Sequence, residues 1–266
     1  MYTILVISNI GSLILEFKCL VKSDYQEIFI VPFLNLNFQM LFYLNILNTE
    51  FMNKEKLKKL SAEIVKRLLT EYPDVKCHLE FNSPFELIIS TVLAAQCTDI
   101  RVNMVMVPLY RSKYKSPADI IKDGEVNFRE NIRSINFFNN KAKAVLSICK
   151  TVTEKFKGKI PGTMEELTSL AGVGRKSASV ILGNCFGKQD VIIVDTHLKR
   201  VASRLGLIEN DNPDKIESEL KEIIPDKEQF YFSMRIGEHG RQICKAKKPD
   251  CSGCFLNDIC ISALIG

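Results

Sequence analysis

Cys244, Cys251, Cys254 and Cys260 stand in the spacing Cys-x6-Cys-x2-Cys-x5-Cys near the carboxyl end of the chain. Thiols this dense serve a metal centre or disulfides. The other cysteines (Cys19, Cys77, Cys97, Cys149 and Cys185) are scattered, and an odd total of 9 is no secreted disulfide framework. Those five read as small buried hydrophobes. Reduced thiols fit a cytosolic setting, so the group of four reads as a metal site. Spacing alone leaves two occupants open, because zinc and an iron–sulfur cluster can both be held by four Cys sulfurs.

A second constellation lies upstream in Leu170-Ala171-Gly172-Val173-Gly174-Arg175-Lys176, followed by the apolar run Ala178–Leu182. Two helices joined through Gly-Val-Gly make a tight hairpin. Glycine permits positive φ there and leaves the first N–H groups of the second helix exposed. With the helix dipole behind them, those amides suit a DNA phosphate and bind backbone without reading bases. Gly172, Val173, Gly174 and Arg175 are therefore expected DNA contacts.

Lys176 has two readings, another cation beside a phosphate or an amine nucleophile. The second gains weight from Val194-Asp195-Thr196-His197, which sets a carboxylate at the head of a further helix. Burial and a positive helix end both lower a lysine pKa and favour the nucleophile. Asp195 on its own reads as an N-cap, and it can cap and catalyse together.

The elements that must position these groups are helical. Leu57, Leu60, Ile64 and Leu68 recur at helical spacing with lysines between them. Ser83-Pro84-Phe85-Glu86 is a capping box with proline at the first helical position. Ser116-Pro117-Ala118-Asp119 and Asn212-Pro213-Asp214 repeat that kind of start. Pro73, Gly162, Gly187 and Pro225 fall in the gaps. No sustained period-2 alternation occurs, and Val191–Val194 is only a brief apolar run. The pattern predicts an all-α protein of roughly ten short helices.

The 266 residues carry a net charge of +5, unevenly spread. Residues 1–51 hold Lys18 and Lys22 against Glu16, Asp24, Glu27 and Glu50, a net of −2, which leaves +7 on the remainder. A basic body suits a polyanionic partner. Ile28–Asn48 lacks charge, but Pro32, Asn35, Asn37, Gln39, Asn45 and Asn48 interrupt it and argue against a membrane span. No basic region precedes the first apolar run, so a signal peptide is poorly supported. Residues 1–51 read as an upstream extension, with the functional protein, 52–266, starting at Met52.

Taken together, Leu-Ala-Gly-Val-Gly-Arg-Lys, Val-Asp-Thr-His, His239-Gly240-Arg241, Ala94-Ala95-Gln96-Cys97-Thr98-Asp99 and the cysteine loop resemble the endonuclease III family of DNA glycosylase/AP lyases. The resemblance covers about residues 53–264, with the motifs in the family's order. Ala171 departs from it, standing where the family usually has proline. Residues 1–51 have no counterpart.

The resemblance implies the helix-hairpin-helix glycosylase fold: a barrel-like helical domain and a second helical domain, with the hairpin at about 163–186 and a [4Fe-4S] loop at 244–260. It implies that Lys176 attacks C1′ of a damaged nucleotide, that Asp195 assists, and that β-elimination then cuts the strand 3′ to the abasic site. The substrates implied are oxidised pyrimidines in double-stranded DNA. Gln96 matches the family residue that fills the space of a flipped base, and Phe137 stands where the family places an apolar wedge. The cluster implied for Cys244, Cys251, Cys254 and Cys260 is structural. It orders a loop whose Lys245, Lys247 and Lys248 reach phosphates. Arg175 and Lys199 or Arg200 are weaker candidates of the same kind. A monomer acting in the cytoplasm at the nucleoid, with no membrane association, is expected. Two rivals remain. An adenine-mismatch glycosylase would lack the lysine and usually carry a carboxylate at Thr91. A non-enzymatic DNA-binding module would use the hairpin with a structural metal.

Overall fold

A computed structural model of the chain describes the backbone of residues 38–265 and the side chains of 53–264. Residues 1–37, most of the expected extension, lie outside the described residues. The chain divides into two compact units, Met1–Asn53 and Lys54–Gly266, and all the motifs lie in the second.

Among the described residues there are helices and no strands, with order α1 (Phe38–Glu71), α2 (Pro84–Leu93), α3 (Asp99–Ser112), α4 (Pro117–Asn131), α5 (Phe138–Phe156), α6 (Met164–Thr168), α7 (Arg175–Phe186), α8 (Thr196–Arg204), α9 (Pro213–Ile223), α10 (Asp226–Gln242) and α11 (Ile261–Ile265). The backbone of α1 is helical through Met52, so this helix begins well before the amphipathic pattern at Leu57. Among the described residues no helix is long and apolar enough to cross a membrane.

The start signals act as their chemistry requires. Ser83 accepts from the Glu86 amide, Ser116 and Asp119 form a reciprocal capping box, and Asn212 accepts from the first amides of α9. Within α4, Gly124 takes φ 80 and breaks the helix into two pieces.

Two hydrophobic cores form. The first gathers Leu87, Ile88, Leu93, Met106, Tyr114, Phe128, Val145, Cys149 and Ile181 from α2 to α7. The second gathers Ile64, Leu68, Leu198, Val201, Ile216, Leu220, Phe232, Ile236 and Leu256 from α1, α8, α9, α10 and the cysteine loop. α10 serves both, giving Phe230 to the first and Phe232 with Ile236 to the second. The Val191–Val194 run does likewise in extended form. Val191 and Ile193 enter one core and Ile192 the other, which fixes the segment that delivers Asp195. Burial at about 25 cal/mol per Å² of apolar surface is the main force holding these layers.

Candidate active site and metal centre

Leu170 and Val173 are buried, while Gly172, Gly174, Arg175 and Lys176 between and after them are exposed. Gly172 takes φ 76, where a side chain would be strained. Gly174 does not need that freedom, contrary to the expectation for both glycines. It sits at φ −87, ψ 175 as the N-cap of α7, with no side chain to bond the following amides. A Cβ there would meet no protein atom, so the open space is on the solvent side. The first turn of α7 thus offers bare N–H groups to solvent.

Lys176 occupies the second position of α7, and among the described residues it has neither an ion-pair nor a hydrogen-bond partner. Its exposure means that the protein alone does not supply the burial expected to activate it. The positive end of α7 remains. Asp195 is the N-cap of α8, and its Oδ1 accepts from the Leu198 amide at 2.7 Å. The segment before it is pinned from α10: the Ile193 amide donates to Ser233 Oγ at 3.0 Å, and the Phe230 amide to the Gln189 carbonyl at 3.0 Å. A polar residue buried in the middle of α10 therefore steers Asp195, which periodicity could not reveal.

Arg175 has a different task from the one expected of its side chain. Its guanidinium forms a two-point bond with Glu217 of α9, at 2.5 and 2.8 Å, and Lys221 adds a third contact at 3.0 Å. Glu217 is only 4% exposed. Burial opposes its ionisation, but hydrogen bonds from Arg175 and Lys221 outweigh it and hold the carboxyl below the usual range. Sequence alone offered only an ordinary Glu/Lys pair four residues apart on α9. Lys199 bonds the carboxylate and carbonyl of Asp211.

Gln96 and Phe137 share an unusual backbone. Both are exposed, and both take positive φ, 53 and 57 respectively. For residues with a Cβ this conformation costs roughly 1–2 kcal/mol. Thr91, facing no carboxylate role, donates back to the Leu87 carbonyl.

The four cysteines line one cavity of about 120 Å³, together with Arg204, His239 and Leu256. They are free thiols. Burial raises the Cys254 thiol, and the nearness of Cys244, Cys260 and Cys251 adds to it. Yet among the described residues no three Cys, His, Asp or Glu side chains converge closely enough to hold a single ion.

The surrounding groups organise that loop. Arg204 Nη1 donates to Cys244 Sγ at 3.2 Å and to the Lys245 carbonyl at 2.8 Å. Arg200 Nη2 donates to the carbonyls of Gly240 and Cys244 at 2.8 and 3.1 Å, which ties α8 to the end of α10 and the start of the cysteine loop. The Leu256 amide points at Cys254 Sγ at 3.4 Å. His239, whose Nε2 lies 3.6 Å from the same sulfur, is held to about 4 by burial and is a neutral ring. Gly240 lets α10 approach α8, since a Cβ would sit 3.0 Å from the Cβ of His197. Lys245, Lys247 and Lys248 are all exposed. A larger cavity of about 570 Å³ lies among the Val75–Asn82 segment, α3, the last turn of α7 and α10, and none of the expected site residues lines it.

Residues 89–226 match the family described as HhH-GPD superfamily base excision DNA repair protein. Residues 244–260 match the iron-sulfur binding domain of endonuclease III. The endonuclease III of Synechocystis is 40% identical over 206 residues, 77% of this chain and 94% of that protein. This chain belongs to the endonuclease III family. The Escherichia coli endonuclease III is 35% identical over 209 residues, covering 79% of this chain and 96% of that one. A solved endonuclease III trapped as a covalent intermediate with DNA superposes with a TM-score of 0.74 at 37% identity, over 78% of this chain and 97% of that one. A thermostable thymine-DNA glycosylase shares the fold, at TM-score 0.71 and 23% identity.

Membership and geometry agree on the cofactor. Cys244, Cys251, Cys254 and Cys260 fit a [4Fe-4S] cluster: four thiols around one cavity, N–H donors aimed at two sulfurs, and a neutral imidazole beside one.

Proposed function

We propose that the chain is a bifunctional DNA N-glycosylase and AP lyase for oxidised pyrimidines in double-stranded DNA, with Lys176 as nucleophile and Asp195 as its carboxylate partner. The observation that supports this best is the placement of Lys176, unpartnered at the open N-terminus of α7, directly after bare hairpin amides. Those amides hold a phosphate of the damaged strand, and bound DNA closes over the exposed amine and dries it. The flipped nucleotide presents C1′ to Lys176 Nζ.

The amine must lose a proton to attack, and Asp195 accepts it. The new C1′–N bond forms as the N-glycosidic bond breaks, and the base leaves with the bonding pair. The Asp195 charge stabilises the positive charge that builds on the sugar as that bond weakens. Ring opening gives a Schiff base. Loss of a C2′ proton then expels the 3′ phosphate, and water releases the lysine. Cys244, Cys251, Cys254 and Cys260 would hold the cluster, whose thiolate bonds would make the loop rigid so that Lys245, Lys247 and Lys248 meet phosphates. The enzyme works in the cytoplasm at the nucleoid.

Borohydride trapping tests this reading. Cluster-loaded protein, incubated with a duplex containing thymine glycol or an abasic site, should give a covalent adduct that Lys176→Ala abolishes. DNA binding without any adduct from the unaltered protein would sink it and favour a non-enzymatic DNA-binding module.

A further inference from the structure

Among the described residues four exposed side chains stand on left-handed backbone, Gln96, Phe137, Lys157 and Lys248, and two of them, Gln96 and Phe137, lie 41 positions apart in the chain yet on neighbouring turns. Phe137 leaves 62% of its surface in solvent. Neither side chain gains from burial, so nothing in its own contacts offsets the strain. Strain of this kind persists only where the surroundings over-determine it.

Two side chains link the turns that carry them. Asn136 Nδ2 donates to the backbone carbonyl of Gln96 itself at 3.0 Å. Lys141 Nζ, on a residue only 7% exposed, donates to the Leu93 carbonyl at 2.8 Å. That carbonyl is one of those left open at the end of α2, just before the Gln96 turn. The Lys141 amide in turn donates to the Phe137 carbonyl at 3.1 Å. Buried Ile135 and partly buried Phe138 anchor the Phe137 turn on either side. Partly buried Ala94 and Cys97 do the same around Gln96.

We propose that Asn136 and Lys141 are positioning residues that clasp the Gln96 turn to the Phe137 turn, so that both side chains enter DNA as one preformed two-pronged wedge. The proposal rests on the glycosylase reading. With the turns joined, neither prong has to be ordered when DNA arrives, and the lesion base is displaced in a single event. Lys141 sets the spacing of the helix ends from within the core. Asn136 is exposed and tunes the tips.

The test is a double-mutant cycle on single-turnover base release from a fully paired thymine glycol duplex, using cluster-loaded protein. Asn136→Ala should slow base release about five-fold, with the melting temperature lowered by no more than about 2–4 °C. In a Phe137→Ala background the same change should cost less than about two-fold, because the clasp has no wedge left to hold. A 2-aminopurine placed opposite the lesion should report slower unstacking in Asn136→Ala by the same factor. Equal losses in both backgrounds, or unstacking at the normal rate, would overturn the clasp while leaving the glycosylase intact. Absence of base release from the unaltered protein would instead overturn the glycosylase reading, and this proposal with it.

Discussion

The hairpin that carries Lys176 and the loop that carries the cysteines are built on opposite principles. Around the hairpin, Leu167, Leu170, Val173, Ala178, Ile181 and Leu182 are buried in the first core, so apolar packing is the main source of its rigidity. The loop from Cys244 to Cys260 buries one hydrophobic residue fully, Leu256, and contains only a short 3-10 turn at Asn257–Ile259. Its carbonyls are held by arginines reaching in from elsewhere: Phe255 by Arg67 from α1, Cys244 by Arg200 and Lys245 by Arg204, both from α8. Such a segment cannot be fixed by burial and needs metal–thiolate bonds, which are folding energy in themselves. The hairpin should therefore fail through chemistry with its fold intact, and the loop through its fold.

Asp195→Asn gives the sharpest test of the first half. Asn caps a helix as well as Asp, so melting temperature should hold within about 1 °C while base release falls roughly a hundredfold or more. Base release that survives the change undiminished would show that the carboxylate is only a cap. Cys254→Ser tests the second half. It should lose iron and visible absorption and lower the melting temperature by about 5–10 °C. Unchanged stability in iron-free protein would show that the loop holds itself.

Glu217→Gln probes where the two kinds of construction meet, since Glu217 ties Arg175 of the hairpin to α9 of the second core. With Arg175 half exposed, the loss should be modest, about 1–2 kcal/mol in chemical denaturation at neutral pH. The sign with pH follows from the lowered carboxyl. The folded value lies below the ordinary 4.5, so the stabilisation is fully present above 4.5 and is lost as pH falls through the folded value. The gap between the variant and the parent should close over that acid range, and a constant gap would contradict the ion pair. The smallest effects belong to the loop lysines. Each of Lys245→Ala, Lys247→Ala and Lys248→Ala should reduce the slope of log affinity against log salt by about one, with little change in melting temperature. An unaltered slope would place those lysines away from DNA.

Much of this was legible before any fold was known, and the reason is range. A capping residue, a glycine turn or a Cys-x2-Cys pair acts within a few positions, so Ser83, Gly172, Asp195 and the cysteine spacing declare their roles in the text of the chain. The unnecessary freedom assigned to Gly174 shows the limit even there. Its glycine is explained by the open space before α7, which is a property of the surface and not of the local backbone.

The sequence by itself determined the helical class, the hairpin, the order of the motifs and the four thiols. Only the tertiary structure decided how the side chains of Arg175, Arg200 and Asn136 are spent. Their partners, Glu217, the carbonyls of Gly240 and Cys244, and the carbonyl of Gln96, lie about forty residues away along the chain. A cation or an amide carries no mark of which distant acceptor will claim it. For Glu217 burial selects the donor, because a carboxylate shut away from water must be paired; for all three, the packing of the helices dictates which donor can reach which acceptor.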